Sequence, residues 1–266
     1  MNCSPGEPLI SFRPEQHILV TGASSGIGAA IAQRLNALGA TIIASGRDQE
    51  KLEAMRLSCH APERTKIEAR DLTQKMEELP AWVRELALKY GKLHGLVCSA
   101  GMAFPMPLRL LDFEKSRELF YLNYFAPILL AQGFCDRRNN SGKGASIVFI
   151  ASIAATLPQR AQAIYAGSKA ALVESAKCIS LEHSTSGLRV NCISPAEVVT
   201  PLFYAFNEEL GEKEPEKTIA RRYPLGLGQP EDVSALAAFL LSDNARWITG
   251  QNYILDGGLM ECSMTW

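Results

Sequence analysis

The stretch HILVTGASSGIG, residues 17–28, decides how the rest of this chain reads. A β-type apolar run closes on a glycine, and two more glycines follow at the spacing G-x-x-x-G-x-G. Apolar residues at helical spacing then run on to Gly39, a natural helix stop. Gly22, Gly26 and Gly28 allow a sharp turn and a close approach of backbone to a bulky anion. The helix that begins near Gly26 would aim its unpaired amides at that anion. A glycine triple alone is a weak sign; one set between a first strand and a first helix is much stronger. The competing reading is a flexible turn without a ligand, in which three glycines would weaken a helix start for no gain.

Working outward, short apolar runs alternate with longer helical ones. Strands are expected at 17–22, 40–46, 65–72, 93–101, 146–152, 188–196 and 251–258. Helices are expected at 26–39, 48–57, 75–90, 112–136, 161–184 and from about 230 onward. Pro127 predicts a kink or break inside the fourth helix. Alternating strands and crossover helices argue for a parallel sheet covered on both faces. Residues 1–13 read as a tail and 14–266 as a single domain. Residues 197–225, rich in Glu, Lys and aromatics, read as a substrate-side flap.

Composition narrows the function. Hydrophobic residues make up 47% and charged residues 21%, and 27 basic against 28 acidic residues leave a formal net charge of -1. No basic surplus points to nucleic acid, and no apolar run approaches a membrane span. The opening MNCSPGEPLISFRP has no secretory pattern, so a cytoplasmic protein is expected. The seven cysteines (Cys3, Cys59, Cys98, Cys135, Cys178, Cys192 and Cys262) form no CxxC and suit free thiols. His17, His60, His94 and His183 are scattered, so no protein-built metal site is expected.

The second strand ends in ASGR. An NAD site would place a carboxylate there for the ribose 2′-hydroxyl. Here Gly46 takes that position and Arg47 follows, whose guanidinium can hold a 2′-phosphate, so NADP(H) is favoured over NAD(H). The other reading of Arg47 is an ordinary surface arginine. Asp71 and Leu72 close the third strand, where they can meet an adenine edge; alone, Asp71 would be a turn residue. Tyr165 and Lys169, four apart, share one helix face. A nearby ammonium favours the phenolate and brings tyrosine toward working pH as a proton donor or acceptor. In isolation the pair would read as a core tyrosine and a snorkelling lysine. It is not isolated. Ser152 ends the preceding buried strand, where its hydroxyl can reach the same carbonyl oxygen, although a strand-end serine can equally satisfy backbone. Asn123, in YLNYFAP, sits mid-helix among apolar neighbours, a place asparagine does not favour.

Together, TGASSGIG, CSAG at 98–101, Asn123, Ser152, Tyr165-x-x-x-Lys169, VNCISPA at 190–196 and LDGG at 255–258 resemble the short-chain dehydrogenase/reductase family in order and spacing. The resemblance runs from about residue 17 to 258. It implies a single Rossmann-type domain with a seven-stranded parallel sheet and helices on both faces. It also implies hydride transfer between a nicotinamide and a carbonyl or alcohol. By resemblance, Tyr165 is the acid/base, Lys169 lowers its pKa and binds the nicotinamide ribose, Ser152 orients the carbonyl oxygen, and Asn123 holds a relay water. Cofactor contacts are then expected from Gly22, Ser24, Ser25, Gly26, Ile27 and Gly28, from Arg47, Asp71, Leu72, Ala100 and Gly101, and from Tyr165, Lys169, Pro195, Ala196, Val198 and Thr200. The backbone near Ile193 and the Thr200 hydroxyl would flank the carboxamide. Homotetramers, or homodimers, are implied as well, the tetramer joined through helices 112–136 and 161–184 and the C-terminal strand.

Three departures stand out. Cys98-Ser99 replaces the usual Asn-Asn, Ala196 replaces the glycine after Pro195, and Leu227 stands where relatives often carry arginine. The pattern is most similar to 3-oxoacyl-carrier-protein reductases. The expected activity is therefore NADPH-dependent reduction of a ketone of 3-oxoacyl type. Phe203, Tyr204, Phe206 and Tyr223, with Met102, Phe104, Met106 and the loop after Ser152, would form an apolar pocket for this small-molecule substrate. The alternatives are an alcohol, polyol or sugar dehydrogenase and a non-catalytic nucleotide-binding regulator. The four intact site residues argue against the regulator. Enoyl reduction is disfavoured because relatives that perform it space tyrosine and lysine more widely.

Overall fold

The structure, a computed structural model, describes residues 10–263; most of the expected N-terminal tail, with Cys3, lies outside the described residues. The strands are β1 His17–Thr21, β2 Thr41–Gly46, β3 Thr65–Ala69, β4 Leu93–Cys98, β5 Ser146–Ile150, β6 Arg189–Pro195 and β7 Asn252–Leu255. The helices are α1 Gly26–Ala37, α2 Gln49–Leu57, α3 Leu79–Tyr90, α4 Phe113–Phe120, α5 Ala126–Cys135, α6 Ala163–His183, α7 Pro201–Glu209, α8 Pro215–Ala220, α9 Pro230–Leu241 and α10 Leu259–Ser263. All seven strands run parallel in the order β3-β2-β1-β4-β5-β6-β7.

Alternate side chains of each strand enter opposite cores, as the pleat requires. Ile18 and Val20 pack under α1, α2 and α9, whereas Leu19 joins Trp82, Phe134 and Leu172 on the face of α3, α5 and α6. Burial of both faces explains why the central strands read as near-continuous apolar runs. The edge strand β3 is only partly buried, in line with its alternating sequence.

Two expectations change. Residues 10–13 are not all tail. Phe12 is buried in the α1 core and its N–H donates to the Leu38 carbonyl at 2.8 Å. A lone aromatic in a polar segment carries no periodic signal. The segment 112–136 stays helical, but through a π-helical turn at Tyr121–Phe125. Pro127 falls in the first turn of α5, where its missing N–H costs little. The helix therefore widens at Asn123 instead of kinking at the proline. The 197–225 segment is more ordered than a loop, since it carries α7 and α8.

Strand order reverses between β1 and β4, so the connections leaving them go to opposite sides and open a crevice at their carboxyl ends. The cleft is lined mostly by chain at these strand ends and by the helices that follow them.

Candidate active site

A cleft of about 330 Å³ occupies that crevice. The chain enters it at the turn between β1 and α1. Gly22 (φ +68°) and Gly26 (φ +53°) adopt left-handed backbone that side chains rarely take. A Cβ on Gly22 would lie 2.7 Å from the Ala100 nitrogen, and one on Gly28 would lie 2.2 Å from the Gly22 carbonyl oxygen. Backbone thus packs on backbone here and leaves a concave cradle. Ser25 stands in extended conformation before α1 and makes no side-chain cap, so the first-turn amides keep their donors for a guest. A pyrophosphate fits such a cradle.

The adenosine side follows. Arg47 lines the cleft beside Gly46, is exposed, and makes no hydrogen bond or ion pair among the described residues. Asp71 and Leu72 line it too, but one Asp71 oxygen already accepts from the Thr73 N–H (2.9 Å) and hydroxyl (2.7 Å). Arg70 was not singled out from sequence. It lines the same wall, 3.5 Å from the Glu78 carboxylate and 5.2 Å from the Trp82 ring centroid. Only its place after β3 marks it, because an arginine before an aspartate has no signature of its own.

The substitution of Cys98-Ser99 leaves the strand end intact. The Ser99 and Ala100 amides both donate to the Thr21 hydroxyl, at 3.2 and 3.3 Å. These contacts are made by backbone, so the lost carboxamides are not needed for them. Ala196 likewise causes no strain: it is not left-handed, and its N–H donates to the Leu255 carbonyl at 2.9 Å. Thr200 caps α7, its hydroxyl accepting from the Phe203 N–H and donating to the Val198 carbonyl, each at 3.2 Å. The Ile193 carbonyl accepts from the Ala151 N–H at 2.7 Å; Pro195, Ala196, Val198 and Thr200 line the cleft in its stead.

At the far end Ser152, Tyr165 and Lys169 meet on one wall. Ser152 stands two residues beyond β5, where it caps the short helical turn Ile153–Ala155, its Oγ accepting from the Ala154 N–H at 3.2 Å. Lys169 is buried; its Nζ donates to the Ile150 carbonyl at 2.9 Å and lies 5.9 Å from the Tyr165 ring centroid. Loss of solvent brings Lys169 down to about 8, with the nearby Cys192 and Cys98 thiols opposing that. Tyr165 does not follow the expected fall. Burial holds it above its ordinary value, a hydrogen bond with Ser152 pulls the other way, and the Glu197 carboxylate adds to the rise. Lys169 is not among the groups acting on Tyr165, and at about 8 it gives up its own proton before a tyrosine raised above its ordinary value titrates, so it does not offset desolvation.

Asn123 stands apart from the lining. It is fully buried, its Oδ1 accepting from the Met102 N–H and its Nδ2 donating to the Met102 carbonyl, both at 2.9 Å. This reciprocal pair ties the π-helical turn to the loop after β4. Of the expected pocket residues, Met102, Phe203 and Phe206 line the cleft. Tyr223 and Met106 are buried as packing, and Tyr204 is exposed and bonded to Glu216. Glu197 lines the cleft as well, and sequence reasoning missed it; Gln159 and Gln162 line it from the loop after Ser152, where an apolar contribution was expected instead. Their signal is weak, since each sits in irregular chain whose direction only the fold determines.

The chain was then compared with known proteins. A family model described as "Enoyl-(Acyl carrier protein) reductase" matches residues 22–260. The chain belongs to the short-chain dehydrogenase/reductase family. It is 36% identical over 246 residues to the 3-oxoacyl-[acyl-carrier-protein] reductase FabG of Rickettsia conorii, covering 91% of this chain and 95% of that protein. Among solved structures it is similar to a glucose/ribitol dehydrogenase-type member from Brucella melitensis (TM-score 0.84, 28% identity, 94% of this chain and 98% of that one). It is also similar to a short-chain dehydrogenase from Burkholderia cenocepacia in complex with NADP (TM-score 0.83, 28% identity, 92% and 98%). As a family member the chain is an oxidoreductase that binds a nicotinamide cofactor. No helix among the described residues is long and apolar enough to cross a membrane, and no cluster of metal-ligating side chains occurs among them.

Proposed function

We propose that this protein is an NADP(H)-dependent ketone reductase whose proton donor is Tyr165. The observation that carries the reading is the convergence of Ser152, Tyr165 and Lys169 at one end of the cleft that holds the glycine cradle at the other. A bound nicotinamide would supply hydride-transfer chemistry at that end of the cleft. The cradle amides, with Ser24, Ser25 and Ile27, bind the pyrophosphate, and Arg47 binds the 2′-phosphate. Asp71, Leu72, Ala100 and Gly101 bound the adenosine side; Pro195, Ala196, Val198 and Thr200 bound the nicotinamide side. Ser152 orients the carbonyl oxygen toward the Tyr165 hydroxyl, which gives its proton as the alkoxide forms. Lys169, buried beside it, holds the ribose and favours the phenolate once charged. Asn123 acts by position, pinning Met102 and the wall of the cleft. In this reading the enzyme works in the cytoplasm as a homotetramer or homodimer built on α4–α5 and α6.

A 3-oxoacyl thioester is the first substrate class to test, given the likeness to FabG. The second reading, a polyol or sugar dehydrogenase, is favoured by the polar Glu197, Gln159 and Gln162 in the cleft and by the likeness to the glucose/ribitol dehydrogenase-type structure. NADPH consumption against a panel of 3-oxoacyl thioesters, diketones and hydroxyketones tests the proposal. Tyr165→Phe is expected to lower turnover by about 10²–10⁴-fold with NADPH binding retained. Turnover that survives in that variant refutes Tyr165 as the donor. NADPH binding without turnover of any ketone or alcohol would favour the regulator.

A further inference from the structure

One carboxylate in the cleft has no part in the hydride and proton chemistry. Glu197 lines the reacting end, half-buried, with Gln159 and Gln162. Its backbone is fixed from two directions. The N–H donates to the buried Tyr223 hydroxyl at 3.4 Å, and the carbonyl accepts from the Gly228 N–H at 3.1 Å. The Val199 N–H returns the contact to the Gly228 carbonyl at 2.9 Å. This stitching presents the side chain from a rigid base, as a recognition group requires.

The carboxylate oxygens themselves have no hydrogen-bond partner and no ion pair among the described residues. The cation acting on Glu197 is the exposed Arg222, at more than pairing distance. On the other side Glu197 lies close enough to Tyr165 to raise its pKa. Neither carboxylate oxygen is among the fully buried unpartnered polar atoms, so both remain open to a donor from a guest in the cleft, and a hydrogen bond to such a charged acceptor is stronger than one between neutral groups.

We infer that Glu197 recognises a hydrogen-bond donor, a hydroxyl or a protonated amine, carried by the substrate close to the reacting carbonyl. This rests on the oxidoreductase reading above and narrows it. The substrate is a polar, donor-bearing ketone or its alcohol, and an unfunctionalised acyl chain would leave Glu197 unanswered. The neighbouring Gln159 and Gln162 carboxamides, which can both donate and accept, suit the same kind of guest.

Butanone, hydroxyacetone and aminoacetone differ only in a methyl, hydroxyl or ammonium group beside the carbonyl. Their kcat/KM values with NADPH are to be measured for the wild type, Glu197→Gln and Glu197→Leu. The carboxylate has no partner among the described residues, so neither variant is expected to lose stability. The wild type should prefer a donor-bearing ketone over butanone by about tenfold or more, the effect of a hydrogen bond to a charged group. Glu197→Leu should bring that ratio close to one. Glu197→Gln should keep part of a preference for the hydroxyl but lose one for the ammonium, which separates the two donors. A wild-type preference for butanone, or a ratio unchanged in Glu197→Leu, overturns the inference. If none of the three turns over, their binding to the enzyme–NADPH complex, followed by nicotinamide fluorescence, reads the same preference. Equal binding of all three overturns the role of Glu197 alone, and a failure to bind NADPH overturns the wider reading with it.

Discussion

In the proposed function, the choice between NADPH and NADH rests on two adjacent positions. Arg47 has no partner among the described residues, so in that reading Arg47→Ala removes only the proposed contact with the cofactor. The variant also spares the α2 cap, where the Asp48 side chain accepts from the Lys51 N–H at 3.0 Å. A hydrogen bond to a charged group contributes about 1.5–3 kcal/mol. The exposure of Arg47 argues for the lower end, so Arg47→Ala should weaken NADPH by about tenfold and leave NADH unchanged. Gly46→Asp then supplies the missing carboxylate. A Cβ at Gly46 would stand 3.2 Å from the Ser24 Oγ and 3.5 Å from a Leu52 methyl, a fit that a turn of the Ser24 hydroxyl accommodates. The new carboxylate would accept from a 2′-hydroxyl and repel a 2′-phosphate. Together the two changes should move the NADPH/NADH Kd ratio by roughly a hundredfold, about 3 kcal/mol at 1.4 kcal/mol per tenfold. Fluorescence titration of both cofactors against the wild type, each single variant and the double variant reads this directly. A ratio that Arg47→Ala leaves untouched, or a wild type that binds NADH more tightly, refutes the assignment of the 2′-phosphate to Arg47.

Two further predictions concern the inner residues. Burial brings Lys169 from 10.5 to about 8, so the unfolded chain holds more protons between those values and stability rises with pH across that window. Lys169→Met should abolish activity yet be more stable than wild type at pH 7. The shift corresponds to about 3 kcal/mol. Loss of the bond to the Ile150 carbonyl, about 1 kcal/mol, reduces the gain to about 2 kcal/mol. That advantage should shrink as pH climbs from about 8 to 10.5 in urea unfolding, and a pH-independent gap would contradict the account. Asn123→Ala strands both the N–H and the carbonyl of Met102, so a loss of about 2–4 kcal/mol is expected in urea unfolding; a loss below about 1 kcal/mol would show that water takes over both bonds.

What was legible in the sequence divides by the range of the interaction. The glycine cradle, the Tyr165/Lys169 face and the alternation of strands with helices are local patterns, set by backbone sterics and by periods of 3.6 and 2. They led to a parallel sheet covered on both faces without knowledge of which residues meet in space, and the family resemblance they carry implied its seven strands. Phe12, Arg70 and Glu197 became visible only when distant segments were brought together. Phe12 is buried because Leu38 lies beside it, and Glu197 faces the cleft because Tyr223 and Gly228 hold its backbone. The sequence departures sort in the same way. Ser99 and Ala100 keep their contacts with Thr21 through backbone amides, so the side chains at positions 98 and 99 could change without loss of the strand end. The rise of Tyr165 above its ordinary value is a further case, since desolvation depends on every neighbour and not on the lysine four residues on. A binding site assembled from backbone can therefore be read from glycines and strand ends. The groups that select a substrate are side chains on long connections, and their direction is decided by contacts that no sequence period encodes.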